Sequence, residues 1–251
     1  MTRLFDRYDA AALQALFADA GVFDDLHAKG FRDCAVAVLG DGRGMPCVSL
    51  SARKDGRACL LLEARLRRVA APAPTGGAPL DLLLVHWVRE EDPTAAFTST
   101  RPRLPLQRHP GLGILRRVFR VAVRIAGELG ADGVASLPKF FHDAVIFHRS
   151  RLFLHLDGRD QGRFEALERD LAALPLRDAT VAVAGWCVRD AEEQVVHWDP
   201  GYLVFPLSAR LTAHFNSPAY ADAVAAARAA CRFRIDATAL GAARAAVEPA
   251  G

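Results

Sequence analysis

The sequence predicts an α/β protein, layered in the α+β manner, in which helices flank a mixed, largely antiparallel central sheet and an α/β extension follows. Three observations predict this fold. Short apolar segments separated by glycine turns fill residues 34–66, which is typical of an antiparallel meander. Residues 80–88 are apolar at nearly every position, as in a buried central strand. Residues 114–129 place an apolar stripe opposite an arginine-rich one, which predicts an amphipathic helix.

The elements of the first part follow from changes of period along the chain. Helical spacing of apolar residues predicts a first helix that Gly21 ends, and later changes of period predict alternating strands and helices. The Asp55-Gly56 pair predicts a tight hairpin turn. The predicted elements are a helix at 9–20, strands at 34–39, 46–52, 58–66 and 80–88, a helix at 114–129, a strand at 132–137, a helix at 140–148 and a strand at 152–156.

The second part continues the alternation of elements. Ser217 and Pro218 are a helix N-cap and first-turn pair. The predicted elements are a helix at 163–174, a hairpin of strands at 180–188 and 194–203, and helices at 208–215 and 218–231. We therefore expect a core at residues 1–158 and an extension at 159–251 that packs on it.

Charge is spread evenly, with one local exception. The net charge is +3, and acidic and basic residues alternate through most of the chain, so a nucleic-acid partner is not predicted. Residues 101–124 contain seven arginines and no acid. This stretch predicts an anionic partner, and a small phosphorylated ligand meets that need.

Cysteine usage and hydropathy indicate the compartment. The five cysteines are widely spaced and lack any metal-ligand spacing, so we expect reduced thiols and no metal site. Residues 1–6 have no apolar signal core, and no apolar run approaches the roughly 20 residues that span a bilayer. The sequence predicts a cytoplasmic protein without a membrane partner, and a homodimer is compatible with it.

The strongest chemical motif is Arg108-His109-Pro110-Gly111-Leu112-Gly113, between the apolar strand and the strongest helix. Glycines let backbone N–H groups approach a pyrophosphate, the helix N-terminus attracts negative charge, and Arg108 can pair with phosphate oxygens. His109 could contact phosphate too, although its position before Pro110 explains it equally well. The motif therefore predicts an anion-binding loop.

This Arg-x-x-Gly-x-Gly motif resembles the signature of the GNAT superfamily of N-acyltransferases. In that family the signature joins the central strand to the helix that holds acyl-CoA pyrophosphate. The succession of predicted elements over roughly residues 10–157 is also similar to the family's. The resemblance implies acetyl-CoA or another acyl-CoA as cosubstrate, held by Arg108, His109, Gly111, Leu112 and Gly113. It also implies a small-molecule or peptide amine as acceptor.

A second family pattern, Asn-x-x-Ala-x-x-x-Tyr-x-x-x-Gly-Phe, is matched in part. Alignment on Ala144 places Phe141 at the Asn position and His148 at the Tyr position. The family Tyr often protonates the leaving thiolate, and an imidazolium at His148 could do so near neutral pH. A structural role for His148 is an equal interpretation.

Acidic residues follow the apolar strand, where the family usually holds the group that deprotonates the amine. Glu90 and Glu91 are the candidates for this base, and His86 is a weaker one. The alternative is a solvated loop start. A thiol nucleophile at Cys187 with His197 across the predicted hairpin would be another class of chemistry.

The resemblance implies transfer of an acetyl or other short acyl group from coenzyme A to an amine, by direct attack in a ternary complex. The alternative is a catalytically inactive GNAT-like module that binds a ligand or a partner. The absence of the family Asn and Tyr favours that alternative.

Overall fold

A computed structural model describes residues 3–40, 46–74, 76–105, 107–199 and 201–247. The protein is an α/β fold with a mixed, mostly antiparallel seven-stranded sheet, and nine helices lie in these ranges. This confirms the predicted fold class. Most of the glycine turn predicted at residues 40–44 lies outside the described residues.

The chain divides into two compact units. The first comprises residues 1–71, 79–101 and 107–134, and the second comprises residues 72–78, 102–106 and 135–251. The division predicted at residue 158 lies inside the second unit. β5, defined below, contributes two residues to each unit.

The first unit contains a helix pair, a four-stranded meander and one long helix. Its elements are α1 (Ala10–Asp19), α2 (Val22–Ala28), β1 (Arg32–Leu39), β2 (Cys47–Lys54), β3 (Arg57–Ala71), β4 (Leu80–Glu90), α3 (Leu115–Glu128) and the start of β5 (Gly133–Ser136).

The second unit is mainly helical. Its further elements are α4 (Phe141–Arg149), β6 (Leu154–His155), α5 (Gly158–Asp170), α6 (Leu176–Ala184), β7 (Val188–Arg189), β8 (Leu203–Pro206), α7 (Ala209–Phe215), α8 (Pro218–Ala230), β9 (Arg234–Ile235) and α9 (Ala237–Val247). The strand order of the main sheet is β1-β2-β3-β4-β5-β8-β6, and β7 pairs separately with β9.

The meander pairs consecutive strands antiparallel. Asp55 and Gly56 join β2 to β3 with φ angles of 50° and 78°, as a type I′ hairpin turn requires. In the β3–β4 pairing, Arg65 faces Trp87 and Leu66 faces Val85. His86 is therefore the extra residue of a β-bulge in β4.

β4 changes character along its length. Leu80, Leu82, Leu83 and Leu84 are buried in the core of the first unit, as predicted. Beyond Val85 the strand is partly or largely exposed, so the prediction of a strand buried on both faces through residue 88 is wrong for its second half. The apolar character of Trp87 and Val88 does not by itself tell whether these residues are buried or exposed.

The helix pair is fixed to the rest of the first unit by polar side chains. Asp9 caps α1 by accepting the Ala12 N–H at 2.9 Å. Gln14 bonds the backbone of β1 twice, to the Cys34 carbonyl and the Val36 N–H, each at 2.8 Å. These bonds cover the edge of the sheet, which would otherwise leave backbone groups unpaired.

In the second unit, α5 packs closely on α8 because two glycines lie at the contact. A Cβ atom added at Gly158 would meet the Tyr220 carbonyl oxygen at 3.0 Å. At Gly162 it would meet the Ala227 Cβ at 2.8 Å and the Arg228 nitrogen at 2.9 Å, and would overlap the Val224 carbonyl oxygen. The backbones of α5 and α8 can come this close only because Gly158 and Gly162 have no side chains.

The hairpin predicted at 180–188 and 194–203 is wrong. Residues up to Ala184 form helix α6, and Leu203 begins β8, which pairs with β6. Only a short turn remains, with a bridge between Arg189 and Val195. The helix is buried from Ala179 to Val183, and a short helix buried on all sides has the same apolar run as a strand.

Candidate functional site

The segment that joins β4 to α3 is fastened to the end of β4. The Asp92 N–H donates to the Pro110 carbonyl at 2.7 Å. The Arg101 guanidinium donates to the Gly111 carbonyl at 2.5 Å. Sequence reasoning did not assign Arg101 to the loop, since nothing in its neighbours indicates which carbonyl it reaches. Hydrogen bonds from Asp92 and Arg101 therefore fix the backbone of the predicted anion-binding loop at Pro110 and Gly111.

The carboxylate of Glu90 lies at the N-terminus of α3. One of its oxygens accepts the Ile114 N–H at 3.0 Å. Burial raises the pKa of Glu90, and the backbone N–H groups of Ile114, Gly113 and Leu112 offset part of the rise. The N-terminus of α3 thus binds an internal carboxylate through the Ile114 N–H.

Glu91 bonds the other end of the same loop. Its side chain is 15% exposed and accepts the Arg108 N–H at 3.2 Å. Arg89 forms an ion pair with Glu63 and lies 3.9 Å from Glu91. Both predicted base candidates are therefore brought to the loop, each through a backbone hydrogen bond.

The two signature glycines, Gly111 and Gly113, differ in how strongly the backbone requires glycine at their positions. Gly113 has φ +75°, a conformation that favours glycine. Gly111 does not, and a Cβ there would meet its nearest neighbour, the Glu90 carbonyl oxygen, at an ordinary 3.7 Å. The backbone conformation therefore favours glycine at position 113 but does not require it at position 111.

The remaining predicted loop residues differ in exposure. Leu112 is 3% exposed, so its side chain belongs to the core and only its backbone can face a ligand. Arg108 is exposed and His109 half-buried, and both line a cleft of about 780 Å³ in the first unit. The weaker candidate His86 is exposed at the β4 bulge.

The arginine-rich stretch is partly neutralised within the protein. Arg117 pairs with Asp25 at 2.8 Å, and Arg124 pairs with Asp19 at 2.9 Å and with Glu128 at 3.1 Å. Arg117 and Arg124 therefore already have acidic partners within the protein. The absence of acids from residues 101–124 did not reveal this, because Asp19 and Asp25 lie about a hundred residues earlier.

His148 belongs to the second unit, at the end of α4. Its Nδ1 lies 3.0 Å from the Glu168 carboxylate, and its Nε2 lies 4.0 Å from Glu165. The ring meets Phe164 edge to face at 5.2 Å between centroids. Glu168 also accepts a hydrogen bond from Arg149 at 2.9 Å. The imidazole orientation is thus set by carboxylates of α5, and no local pattern around His148 identifies these partners.

Burial disfavours the thiol alternative. Cys187 is fully buried, and burial raises the pKa of its thiol, which disfavours the nucleophilic thiolate. The His197 ring packs against the ring of Trp186, with 5.9 Å between the ring centroids. Across the described ranges, no three His, Cys, Asp or Glu side chains gather as a metal site would require. In the same ranges, every helix is too short or too polar to cross a bilayer.

The buried position of Glu90 predicts a pH effect on stability. Because its pKa is raised in the folded state, the folded protein gains stability relative to the unfolded chain as the pH falls through that value towards 4.5. Urea unfolding of wild type and Glu90→Gln at several pH values measures this. We expect the wild type to gain on the variant towards acid pH, by at most about 1.4 kcal/mol per pH unit. A gain towards alkaline pH would contradict the assignment.

No protein-family model matches the chain, and neither does any curated protein sequence.

Proposed function

We propose that this protein transfers an acetyl or other short acyl group from coenzyme A to an amine acceptor. The observation that carries the proposal is the hydrogen bond that the Ile114 N–H, at the N-terminus of α3, donates to the Glu90 carboxylate directly after the loop. A loop that holds a carboxylate oxygen in this way has the donors that a pyrophosphate oxygen requires. The residues present therefore fit the phosphate part of the cofactor.

The order of the elements supports the same activity. A helix pair, a meander, the partly buried strand β4, the signature loop and α3 follow one another, and β5, α4 and β6 come next. This succession resembles that of the GNAT acyltransferases, which use the corresponding loop for acyl-CoA pyrophosphate. The β-bulge at His86 also interrupts the β4 ladder shortly before the loop, and bulges are common next to active sites.

Glu90 and the cofactor would compete for the same donors. Pyrophosphate can take the N–H groups of the loop only when the Glu90 side chain moves away, because two anions at one helix N-terminus repel each other. The displaced carboxylate stays at the end of β4 beside Glu91. Cofactor binding would therefore release a base where the proposal needs one.

The proposed reaction forms an N–C bond and breaks the thioester C–S bond. The ammonium of the acceptor first gives one proton to Glu90 or Glu91, directly or through water. Its nitrogen then attacks the thioester carbonyl, and the proton lost by that nitrogen is balanced by one that the leaving thiolate gains. His148 is the proposed donor to sulfur. The main contribution of the chain is to position the two reactants.

The test is acetyl-CoA binding by isothermal titration calorimetry, with variants of the loop. We expect wild type to bind, and Gly111→Asp to abolish binding, because a carboxylate at this backbone would repel pyrophosphate. Glu90→Gln should bind more tightly, because a competing charge is removed. Thermal unfolding without ligand should be similar for the wild type and Gly111→Asp, since the glycine has room for a Cβ.

Gly111→Ala is the matched control. It adds the Cβ without the charge, so it should stay folded and keep most of the affinity. Unchanged affinity in a folded Gly111→Asp protein would remove the loop from the proposal.

The second candidate function is a non-catalytic module of the same fold. The internal carboxylate on the loop donors favours it, because in this arrangement the protein already satisfies them. Cofactor binding without transfer to any amine would support this candidate, whereas release of free thiol that depends on an added amine would exclude it.

A further inference from the structure

The turn between β2 and β3 forms one wall of a cleft that the sequence did not indicate. The cleft has a volume of about 780 Å³, and the end of β4 and the loop residues Arg108 and His109 form the opposite wall. Ligand pockets for small molecules commonly fall between about 300 and 1,000 Å³. All its lining residues belong to the first unit.

The charge of this cleft is predominantly positive. Lys54, Arg57, Arg89 and Arg108 line it, against the two carboxylates of Asp55 and Glu91. Arg89 is already neutralised by its ion pair with Glu63. This leaves three cations against the two carboxylates of Asp55 and Glu91.

Two of those three cations keep their side-chain donors. Among the residues that the structure describes, neither Arg57 nor Arg108 donates from its guanidinium to an acidic side chain, and both are exposed. The third cation, Lys54, lines the cleft, and its ammonium lies 4.8 Å from the centroid of the Phe31 ring. Guanidinium groups suit carboxylate and phosphate because their planar donors match two acceptor oxygens.

The cleft also offers a carboxylate and an apolar wall. Glu91 uses one oxygen for the Arg108 N–H, and a carboxylate has capacity for further donors. Leu60 is 46% exposed and lines the cleft beside Ala58 and Pro93. A ligand with an ammonium at one end, a short apolar part and an anion at the other end would satisfy these groups together.

We propose that this cleft binds the acceptor, and that the acceptor is a small amine carrying a carboxylate or phosphate group. Arg57 holds the anion, with Lys54 and Arg108 at the rim, and Glu91 receives the ammonium. The assignment of the ligand as acceptor rests on the proposed acyl transfer, whereas recognition of the anion by the cleft does not. Arg108 and His109 border both the cleft and the loop, which would bring the two reactants to the same end of β4.

The test titrates the full chain, without cofactor, with three amines that share an aminoethyl group: phosphoethanolamine, β-alanine and ethanolamine. We expect at least one of the two anionic amines to bind and ethanolamine not to, as followed by calorimetry or by amide chemical shifts. Arg57→Gln should weaken that binding by about tenfold or more, the scale of a charged hydrogen bond. The anionic amine that binds identifies the anion.

Arg67→Gln is the matched control, because it removes an exposed arginine from the same strand outside the cleft lining. Its affinity should stay within about twofold of wild type, since screened surface charges contribute little. Equal binding of all three amines, or of none, would overturn the proposal. So would equal weakening by the two arginine changes.

A separate arm distinguishes the cofactor as the occupant. Coenzyme A and dephospho-coenzyme A are titrated into wild type and Arg57→Gln. Weakening for coenzyme A alone would show that the cleft takes its 3′-phosphate, and the acceptor assignment would fail. We expect Arg57→Gln to change neither affinity by more than about twofold. If wild type bound an anionic amine but not coenzyme A, the proposed function would be refuted, whereas recognition of the anion by the cleft would stand.

Discussion

Replacement of Gly162 by alanine is expected to lower the free energy of unfolding of the second unit by about 3 kcal/mol. The added methyl group would overlap the Val224 carbonyl oxygen and lie 2.8 Å from the Ala227 Cβ. Backbone atoms cannot rotate away as a flexible side chain can, so α5 and α8 must separate along their contact. The interior is closely packed, and the separation therefore removes neighbouring contacts as well.

Thermal unfolding measures this effect, and a fall in Tm of roughly 6–12 °C corresponds to the expected loss. Gly241→Ala in α9 is the matched control, because a Cβ there meets nothing within 4 Å. That change should be neutral or stabilise by up to about 1 kcal/mol, since alanine favours a helix more than glycine does. A similar Tm for both variants would show that α5 and α8 do not pack as closely as described.

Replacement of His148 by phenylalanine is expected to lower the maximal rate of acetyl transfer about a hundredfold. This expectation rests on the proposed function, in which the imidazolium donates a proton to the departing sulfur. Nδ1 lies 3.0 Å from Glu168 and Nε2 lies 4.0 Å from Glu165, so the proposed proton donor is Nε2, the nitrogen with the longer carboxylate distance. Phenylalanine keeps a ring against Phe164 and removes both nitrogens. Acetyl-CoA affinity should stay within about twofold, because the lost interaction belongs to the transition state.

Glu168→Gln is the companion variant, because it retains an acceptor for Nδ1 and removes the charge. We expect a smaller loss, on the order of tenfold, if the carboxylate orients and stabilises the imidazolium. Steady-state rates at saturating cofactor are compared with urea unfolding of the same samples. Wild-type rates in a folded His148→Phe protein, with a lowered unfolding free energy, would assign His148 to the packing of α4 on α5 alone.

Elements with a strong period were predictable from the sequence. The helix predicted at 114–129 is α3 at Leu115–Glu128, and the strand predicted at 80–88 is β4 at Leu80–Glu90. Each element has an apolar pattern long enough to distinguish a helix from a strand without knowledge of the tertiary contacts. The Asp55-Gly56 turn was predictable for a related reason, since its two positive φ angles require these residue types.

Short helices were not predictable in the same way. The helix α2 has seven residues with two adjacent acids, Asp24 and Asp25, so it shows no clear stripe. The helix α6 shows no stripe for the opposite reason, since every residue from Ala179 to Val183 is buried. The helix α9 was not predicted either, because alanines dominate it and give little contrast between its faces. Tertiary packing decides such segments.

The partners of charged groups were the least predictable part of the candidate site. The motif indicated an anion at residues 108–113, but not that Glu90 would lie on its donors. The acids of residues 89–92 could equally have faced solvent, because nothing local determines which carboxylate turns back to the helix N-terminus. The pairing of Arg117 with Asp25 likewise depends on how α3 meets the helix pair.

The pairing pattern of the two units has a consequence for how fast each can form. In the first unit, β1 to β4 are consecutive in the chain and adjacent in the sheet, so each hairpin closes a short loop. In the second unit, Leu154 of β6 pairs with Val204 of β8, and two helices lie between them. Closure of a longer loop costs more chain entropy before any contact compensates for it. Local pairing also accelerates folding, so the meander should gain its structure earlier than the β6–β8 pair.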